Sequence, residues 1–286
     1  MQKIIFIIVA CLLAGCTQTP KHPPQKPLLL VSIAPYRFFA EQIAGDEFDV
    51  QSIVPPDVNP HSYEPTGHQV AQMGNAAMWL RIGEPFEPKI LPILRQHTPD
   101  LVVCDLREGI DLIEETHCMG CKGCSMDHLD RHVWLSPKLA IKQAQLIEKT
   151  LSHRFPEKSP LFQKNLQLLS LQLSALDQEI RALLEPVVKR QILVSHPAFG
   201  YFCQEYRFEQ ISIEYEGKDP RPQHLEAVLR QAVAQSLEVA LALPQYNNKG
   251  AQLIAKKLHV PVRLIDPYSA EYFAMMRQLA HVLAEP

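Results

Sequence analysis

The chain has 286 residues, of which 47% are hydrophobic and 21% are charged, and its formal net charge is -3. These values are typical of a globular protein, and they exclude the strongly basic surface that a nucleic-acid-binding protein presents to its partner. The length is sufficient for two lobes, each with a hydrophobic core of its own.

The N-terminus predicts an export signal at residues 1–15. Lys3 precedes an apolar run that is too short to span a membrane comfortably. The run ends in the letters LAGC, which resemble the lipobox of bacterial lipoproteins; the resemblance implies cleavage before Cys16 and a lipid anchor on it. An ordinary signal peptide with a chance cysteine is the alternative. Residues 16–27 predict a flexible tether, so we expect a membrane-anchored lipoprotein, either periplasmic or at the cell surface.

From residue 28 onward, short apolar runs alternate with amphipathic stretches. This alternation predicts βαβ units, and therefore an α/β protein with parallel sheets flanked by helices. The runs fall into two sets of four, which predict two similar lobes. Strands are predicted at residues 28–33, 48–54, 78–82, 101–105, 191–195, 210–215, 238–243 and 262–266, and helices at residues 36–44, 88–96, 225–235 and 249–258.

One long helix is predicted between the two sets, at residues 159–185. Its apolar residues recur at alternating steps of four and three, which places them in a stripe on one face. At about 1.5 Å per residue it would extend roughly 40 Å, enough to span both lobes. A coiled-coil dimer would show the same stripe, but the flanking α/β segments favour a strut within one chain. The predicted domains are an N-terminal lobe at 28–156, a linking helix at 157–187 and a C-terminal lobe at 188–286.

Four candidate metal ligands lie where predicted strands end and new elements begin. They are His61 in NPHSYEPT, His132 in RHVWLSP, His196 in SHPAF and Asp266 in LIDP. Open α/β sheets bind their ligands at this edge, and three neutral imidazoles with one carboxylate suit a zinc ion. Histidines beside prolines are often ordinary loop residues, and Asp266 would also suit a turn. The repeated placement favours a metal site.

These phrases, with IEYEGKDP at residues 213–220 and QYNNK at residues 245–249, resemble in sequence order those of the metal-binding (zinc/manganese) solute-binding lipoproteins of bacterial ABC importers. The resemblance covers residues 28–286. It implies two α/β lobes joined by one long helix, with the metal in the cleft between the lobes. It also implies that the metal passes to an ABC permease in the membrane, which a cytoplasmic ATPase drives. We expect the protein to be a monomer.

The resemblance implies that His61 and His132 bind the metal from the first lobe, and His196 and Asp266 from the second. His196 favours zinc as the transported ion, because manganese-selective members carry glutamate at that position; manganese and iron are the alternatives. Four protein ligands leave no open position for a catalytic water, so we predict that the protein is not an enzyme. A zinc hydrolase and a surface adhesin are the competing functions.

Side chains that orient the imidazole rings are also expected, because a histidine that binds metal usually donates its second ring N–H to a neighbour. Tyr63, Glu64 and Glu214 are the candidates that the sequence offers for this role.

A separate cysteine-rich segment precedes His132. The letters HCMGCKGCSMDH at residues 117–128 contain three cysteines spaced by two residues, flanked by histidines. Thiolates bind zinc or copper(I), so an accessory metal site is one interpretation, and a disulfide in an oxidising compartment is the other. The residues concerned are His117, Cys118, Cys121, Cys124 and His128.

Overall fold

A computed structural model describes residues 26–114, 129–214 and 222–286. The predicted signal peptide, the predicted lipidation site Cys16 with most of the predicted tether, and the cysteine-rich segment lie outside these ranges. Within them, none of the helices combines the length and the apolar character that crossing a bilayer requires.

The structure contains two four-stranded sheets, and every strand pair in them is parallel. The first sheet has the order β2-β1-β3-β4 and the second the order β6-β5-β7-β8, so the same topology occurs twice. The strands are β1 (Leu28–Val31), β2 (Asp49–Ser52), β3 (Met78–Arg81), β4 (Val102–Asp105), β5 (Gln191–Val194), β6 (Glu209–Ser212), β7 (Ala240–Ala242) and β8 (Val262–Leu264). The prediction of two similar α/β lobes with parallel sheets is confirmed.

Helices connect these strands and cover the sheets. They are α1 (Ala34–Ala44), α2 (Gly67–Gln72), α3 (Glu87–His97), α4 (Pro137–Arg154), α5 (Ser159–Leu184), α6 (Gly200–Tyr206), α7 (Pro222–Ala234), α8 (Lys249–Leu258) and α9 (Tyr272–Ala284). Local sequence explains where several of them begin. At α4 the Ser136 hydroxyl accepts a hydrogen bond from the Leu139 N–H, and Pro137 fills the first turn, where no N–H partner is needed. Each predicted strand and helix has a counterpart, whereas no range was predicted for α2, α4, α6 or α9.

The long helix α5 lies at the centre of the molecule. It has 26 residues, which corresponds to about 39 Å, and it packs against α1, α4 and α9. Its buried side includes Leu169, Leu173, Leu176 and Ile180, members of the predicted apolar stripe. The structure therefore confirms the long helix, and the stripe is used within the chain.

The last helix returns to the first lobe. Tyr272 at the start of α9 lies with its ring centroid 4.8 Å from that of Phe39 and 5.7 Å from that of Phe38, both on α1. Because of this crossing, one hydrophobic core includes residues of both sheets, such as Leu29 on β1 and Leu241 on β7. The two lobes are thus held together by the contact of α9, near the C-terminus, with α1, near the N-terminus, as well as by α5.

Candidate metal centre

The candidate ligands lie on loops that follow strands, and these loops meet in one region. In a parallel sheet the carboxyl ends of the strands share an edge, so His61 after β2 and His132 after β4 lie at one edge of the first sheet. His196 after β5 lies at the corresponding edge of the second sheet. Short local turns fix two of these loops. The backbone N–H of His61 donates to Asn59 Oδ1 at 2.9 Å, and that of His132 donates to Asp130 Oδ1 at 2.8 Å.

The three histidines converge on one point. One ring nitrogen of each lies within 4.8 Å of those of the other two. The Nε2 atoms of His61 and His196 are 3.2 Å apart, and those of His196 and His132 are 3.4 Å apart. A tetrahedral zinc ion with Zn–N bonds of about 2.0–2.1 Å places its ligand nitrogens roughly 3.3–3.4 Å apart. The observed spacing therefore matches two edges of a zinc tetrahedron.

The site is almost closed to solvent. His132 is 0% exposed and His196 is 3% exposed, whereas the His61 side chain retains 17% of its accessible surface. Of the three rings, His61 is thus the one that solvent reaches most.

Each ring is oriented by a carboxylate at its other nitrogen. The Nδ1 contacts are His61 with Glu84 at 2.9 Å, His132 with Asp130 at 2.7 Å and His196 with Glu214 at 2.5 Å. A carboxylate accepts the proton on Nδ1, which fixes the tautomer and leaves the Nε2 lone pair directed at the centre. Lone pairs that face each other at 3.2 Å repel, and a cation bound between them removes the repulsion. This donor set therefore suits a divalent cation.

Burial and charge favour the protonation states that this arrangement needs. Burial lowers the pKa of the His196 imidazole well below its usual value, and the neighbouring charges of His61 and His132 lower it further. His196 is consequently held neutral, the form that binds metal. Burial raises the pKa of the Glu84 carboxyl, but the charge and hydrogen bond of His61 outweigh burial and hold that pKa below its usual range.

Two tyrosines complete the surroundings of the histidines. The Tyr268 hydroxyl lies 2.8 Å from His132 Nε2 and 3.3 Å from His61 Nε2. The Tyr246 ring stacks on His196 with a centroid distance of 4.0 Å and an interplanar angle of 8°. The two hydroxyls are 2.9 Å apart. The sequence analysis did not identify either tyrosine, although both follow strands of the second sheet, as His196 does.

Asp266, the fourth predicted ligand, is not part of the group that the histidines form. Its Oδ1 accepts hydrogen bonds from the Gln245 side-chain amide at 2.8 Å and from the Tyr268 backbone N–H at 3.0 Å. The residue is half-buried and lines a cavity of about 270 Å³, together with Asp57 and Glu271. The structure thus brings three of the four predicted ligands together, and it links the fourth to the backbone of Tyr268, whose hydroxyl contacts two of the histidines.

The residues that orient the rings differ in part from those expected. Glu214 is correct, but the expectation for Glu64 is wrong because its carboxylate pairs with Lys89 at the surface. Tyr63 packs edge-on against Phe86. The side chains that the sequence analysis missed are Glu84 and Asp130. Two signals were available: a carboxylate soon after the buried strand β3, and the Asp-x-His spacing at residues 130–132. The accessory residues from His117 to His128 lie outside the described ranges.

Comparison with known proteins agrees with this geometry. Residues 29–286 match the family model described as ZnuA, zinc-uptake complex component A, periplasmic. A protein of Chlamydia trachomatis described as metal-binding is 32% identical over 284 residues, 99% of each chain. The high-affinity zinc uptake system protein ZnuA of Bacillus subtilis is 28% identical over 231 residues, covering 76% of this chain and 72% of that one. A crystal structure of ZnuA has a TM-score of 0.84 at 32% identity, over 91% of this chain and 98% of that one.

Proposed function

This chain belongs to the family of periplasmic zinc-uptake components, and on that premise we propose that it captures zinc at His61, His132 and His196 for delivery to an ABC permease. The observation that carries the proposal is the convergence of three imidazole nitrogens within 4.8 Å of one another, with the Nε2 atom of His196 3.2 Å from that of His61 and 3.4 Å from that of His132, and each ring held by a carboxylate. In this function zinc is the cargo. An anchor on Cys16 would keep the site at the membrane surface, where the permease receives the ion.

The donor set favours zinc over manganese or iron. Imidazole nitrogens suit zinc, whereas manganese is better served by oxygen donors and a larger coordination number. Asp266 is proposed as the fourth ligand. Both described hydrogen bonds of the Asp266 side chain are made by Oδ1. Asp266 also lies two residues before Tyr268, whose hydroxyl reaches His132 and His61. A turn of this carboxylate towards the centre would complete a tetrahedral site.

The same arrangement suits a carrier better than a hydrolase. A zinc hydrolase needs a carboxylate or imidazole beside an open position on the metal, where it can activate water. Here Glu84, Asp130 and Glu214 each contact a histidine Nδ1 atom, so they serve to orient the ligands. Close burial of the ligands also limits the access of a bulky substrate.

Zinc binding by the mature chain tests the proposal directly. After removal of bound metal, titration against a chromophoric chelator should show about one zinc equivalent per chain. His196→Ala should weaken binding by at least about 100-fold, because it removes one ligand of the metal. His153→Ala is the control, since His153 is exposed in the last turn of α4. Wild-type affinity in His196→Ala would contradict the assignment.

Further arms of the same titration separate the finer parts of the proposal. Asp266→Asn should weaken binding if the carboxylate is the fourth ligand, and unchanged affinity would remove it from the site. Tighter binding of manganese than of zinc would overturn the choice of metal but not metal capture. For delivery, cells that lack this protein but retain its permease should recover zinc uptake with the wild-type chain and not with His196→Ala. No recovery with the wild type would contradict the role in import.

A further inference from the structure

The hydroxyl of Tyr268 lies among the proposed metal ligands. It is 2.8 Å from His132 Nε2 and 3.3 Å from His61 Nε2, distances close to those that separate the histidine nitrogens themselves. The phenol oxygen therefore contacts two of the three nitrogens of the cluster. Its ring is buried, and a second hydroxyl, that of Tyr246, lies 2.9 Å away.

The direction of the hydrogen bond follows from the other side of the ring. Because His132 Nδ1 donates its proton to Asp130, Nε2 carries a lone pair and Tyr268 must be the donor. An imidazole nitrogen has one lone pair in the ring plane. It can accept a proton from Tyr268 or bind a metal ion, but it cannot do both.

From this exclusion we infer that Tyr268 is an affinity-setting residue whose hydroxyl competes with zinc for His132. The inference rests on the proposed function, since it concerns the same three histidines. Zinc binding exchanges one hydrogen bond for a coordination bond, and the hydrogen bond re-forms when zinc leaves. Tyr268 thus weakens binding and favours release, which a protein that must hand on its cargo requires.

The surroundings of Tyr268 leave space for this exchange. Tyr268 lines the cavity of about 270 Å³ between the lobes, as does Asp266, whereas the three histidines are not among its lining residues. Tyr268 thus contacts the histidines and also borders this space. A rotation of the phenol ring into the cavity would withdraw the hydroxyl from His132.

Tyr268→Phe tests the inference with little change in shape. Removing the hydroxyl leaves His132 Nε2 without its donor, so zinc no longer has to displace one. The variant should bind zinc about 2- to 10-fold more tightly than wild type, the range that one net hydrogen bond of about 0.5–1.5 kcal/mol supplies. Zinc release to excess chelator, followed by stopped flow, should slow by a similar factor.

Tyr206→Phe is the matched control. It also removes one buried hydroxyl, which donates to Asp177 on α5 rather than to a histidine, and it should leave zinc affinity unchanged. Unchanged affinity in Tyr268→Phe would overturn the inference. Weaker binding would also overturn it, because it would mean that the hydroxyl supports the site instead of competing with zinc. Zinc binding that survives His196→Ala would instead contradict the proposed function, so the two failures are distinguishable.

Discussion

A methyl group at position 200 is expected to weaken zinc binding, although Gly200 is not a proposed ligand. Gly200 begins α6, four residues after His196. A Cβ atom built on its backbone would lie 2.4 Å from Asp130 Oδ2 and 3.0 Å from the Ile113 side chain. Asp130 holds the His132 ring in the first lobe. Because position 200 has no side chain, α6 of the second lobe can lie close to Asp130 without displacing it.

The size of the effect follows from these distances. Ordinary van der Waals contact begins near 3.4 Å, so the Asp130 carboxylate would have to move by about 3.4 − 2.4 = 1.0 Å. Its Oδ1 atom lies 2.7 Å from His132 Nδ1 and 2.8 Å from the His132 backbone nitrogen. A shift of that size along the contact breaks both hydrogen bonds. Loss of such a partner typically lowers metal affinity about 10- to 100-fold, and we expect this range for Gly200→Ala.

The assay is a zinc titration against a competing chromophoric chelator, performed as a double-mutant cycle. Gly67→Ala is the control, because a Cβ atom at Gly67 would meet no other atom within 4 Å. In an Asp130→Ala background the contact with the carboxylate disappears and only the one with the end of the Ile113 side chain remains, so Gly200→Ala should cause little further loss. Wild-type affinity in Gly200→Ala would refute the reasoning. An equal loss in both backgrounds would show that the methyl group acts through some other contact.

Two further predictions concern stability. Leu173→Ala, at a fully buried position of α5, should lower the free energy of unfolding, measured by urea denaturation, by about 2–5 kcal/mol. Leu171→Ala is the control: Leu171 is 70% exposed on the same helix, and its replacement should change that free energy by less than about 0.5 kcal/mol. Equal losses would mean that α5 does not bury its apolar stripe. Burial raises the pKa of the Asp105 carboxyl, but Arg107 and Arg81 outweigh burial and hold that pKa below its usual value. Because the pKa of the Asp105 carboxyl is lower in the folded protein than in the unfolded chain, the ionised group stabilises the fold at pH values above the unfolded-state pKa near 3.9. This stabilisation is lost as the pH falls through the folded-state pKa. Asp105→Asn should therefore lower the free energy of unfolding by about 1 kcal/mol at pH 7 and by progressively less in acid. A cost that does not vary with pH would contradict the ion-pair explanation.

The parts of the fold that sequence predicts are those that local pattern encodes. Runs such as residues 28–33 and the stripe along residues 159–185 reflect burial on one face of an element, and both elements are present as β1 and α5. The association of His61 with His132 was also predictable, because strands of one parallel sheet bring their carboxyl ends to one edge. His196 follows a strand of the other sheet, so its meeting with them was expected from the resemblance to metal-binding proteins of ABC importers. The pattern within each element therefore indicated the candidate ligands but not the contact between the lobes.

The remaining features depend on contacts between distant loops. Glu84 reaches His61 across 23 residues, and Tyr268 reaches His132 across 136 residues. The position of Glu84 soon after β3 marks it as a candidate, but the sequence near Glu84 or Tyr268 does not indicate which histidine each one contacts. The position of Asp266 is a similar case, because its hydrogen bonds with Gln245 and Tyr268 arise from the meeting of two loops of the second sheet. The periodicity of hydrophobic residues along the sequence does not indicate how such loops contact each other.

The contacts around Trp134 indicate how metal exchange can occur without wide separation of the lobes. Two residues after His132, the Trp134 indole N–H donates to the Pro267 carbonyl at 2.8 Å, and the Trp134 carbonyl accepts from the Tyr272 hydroxyl at 2.8 Å. Rigid opening of the cleft would break both buried hydrogen bonds and divide the hydrophobic core that the lobes share. Rotation of the Tyr268 ring requires neither, because the ring borders the cavity while the backbone of Pro267 remains tied to Trp134. Local movement at Tyr268 is therefore the less costly route by which zinc could reach and leave His132.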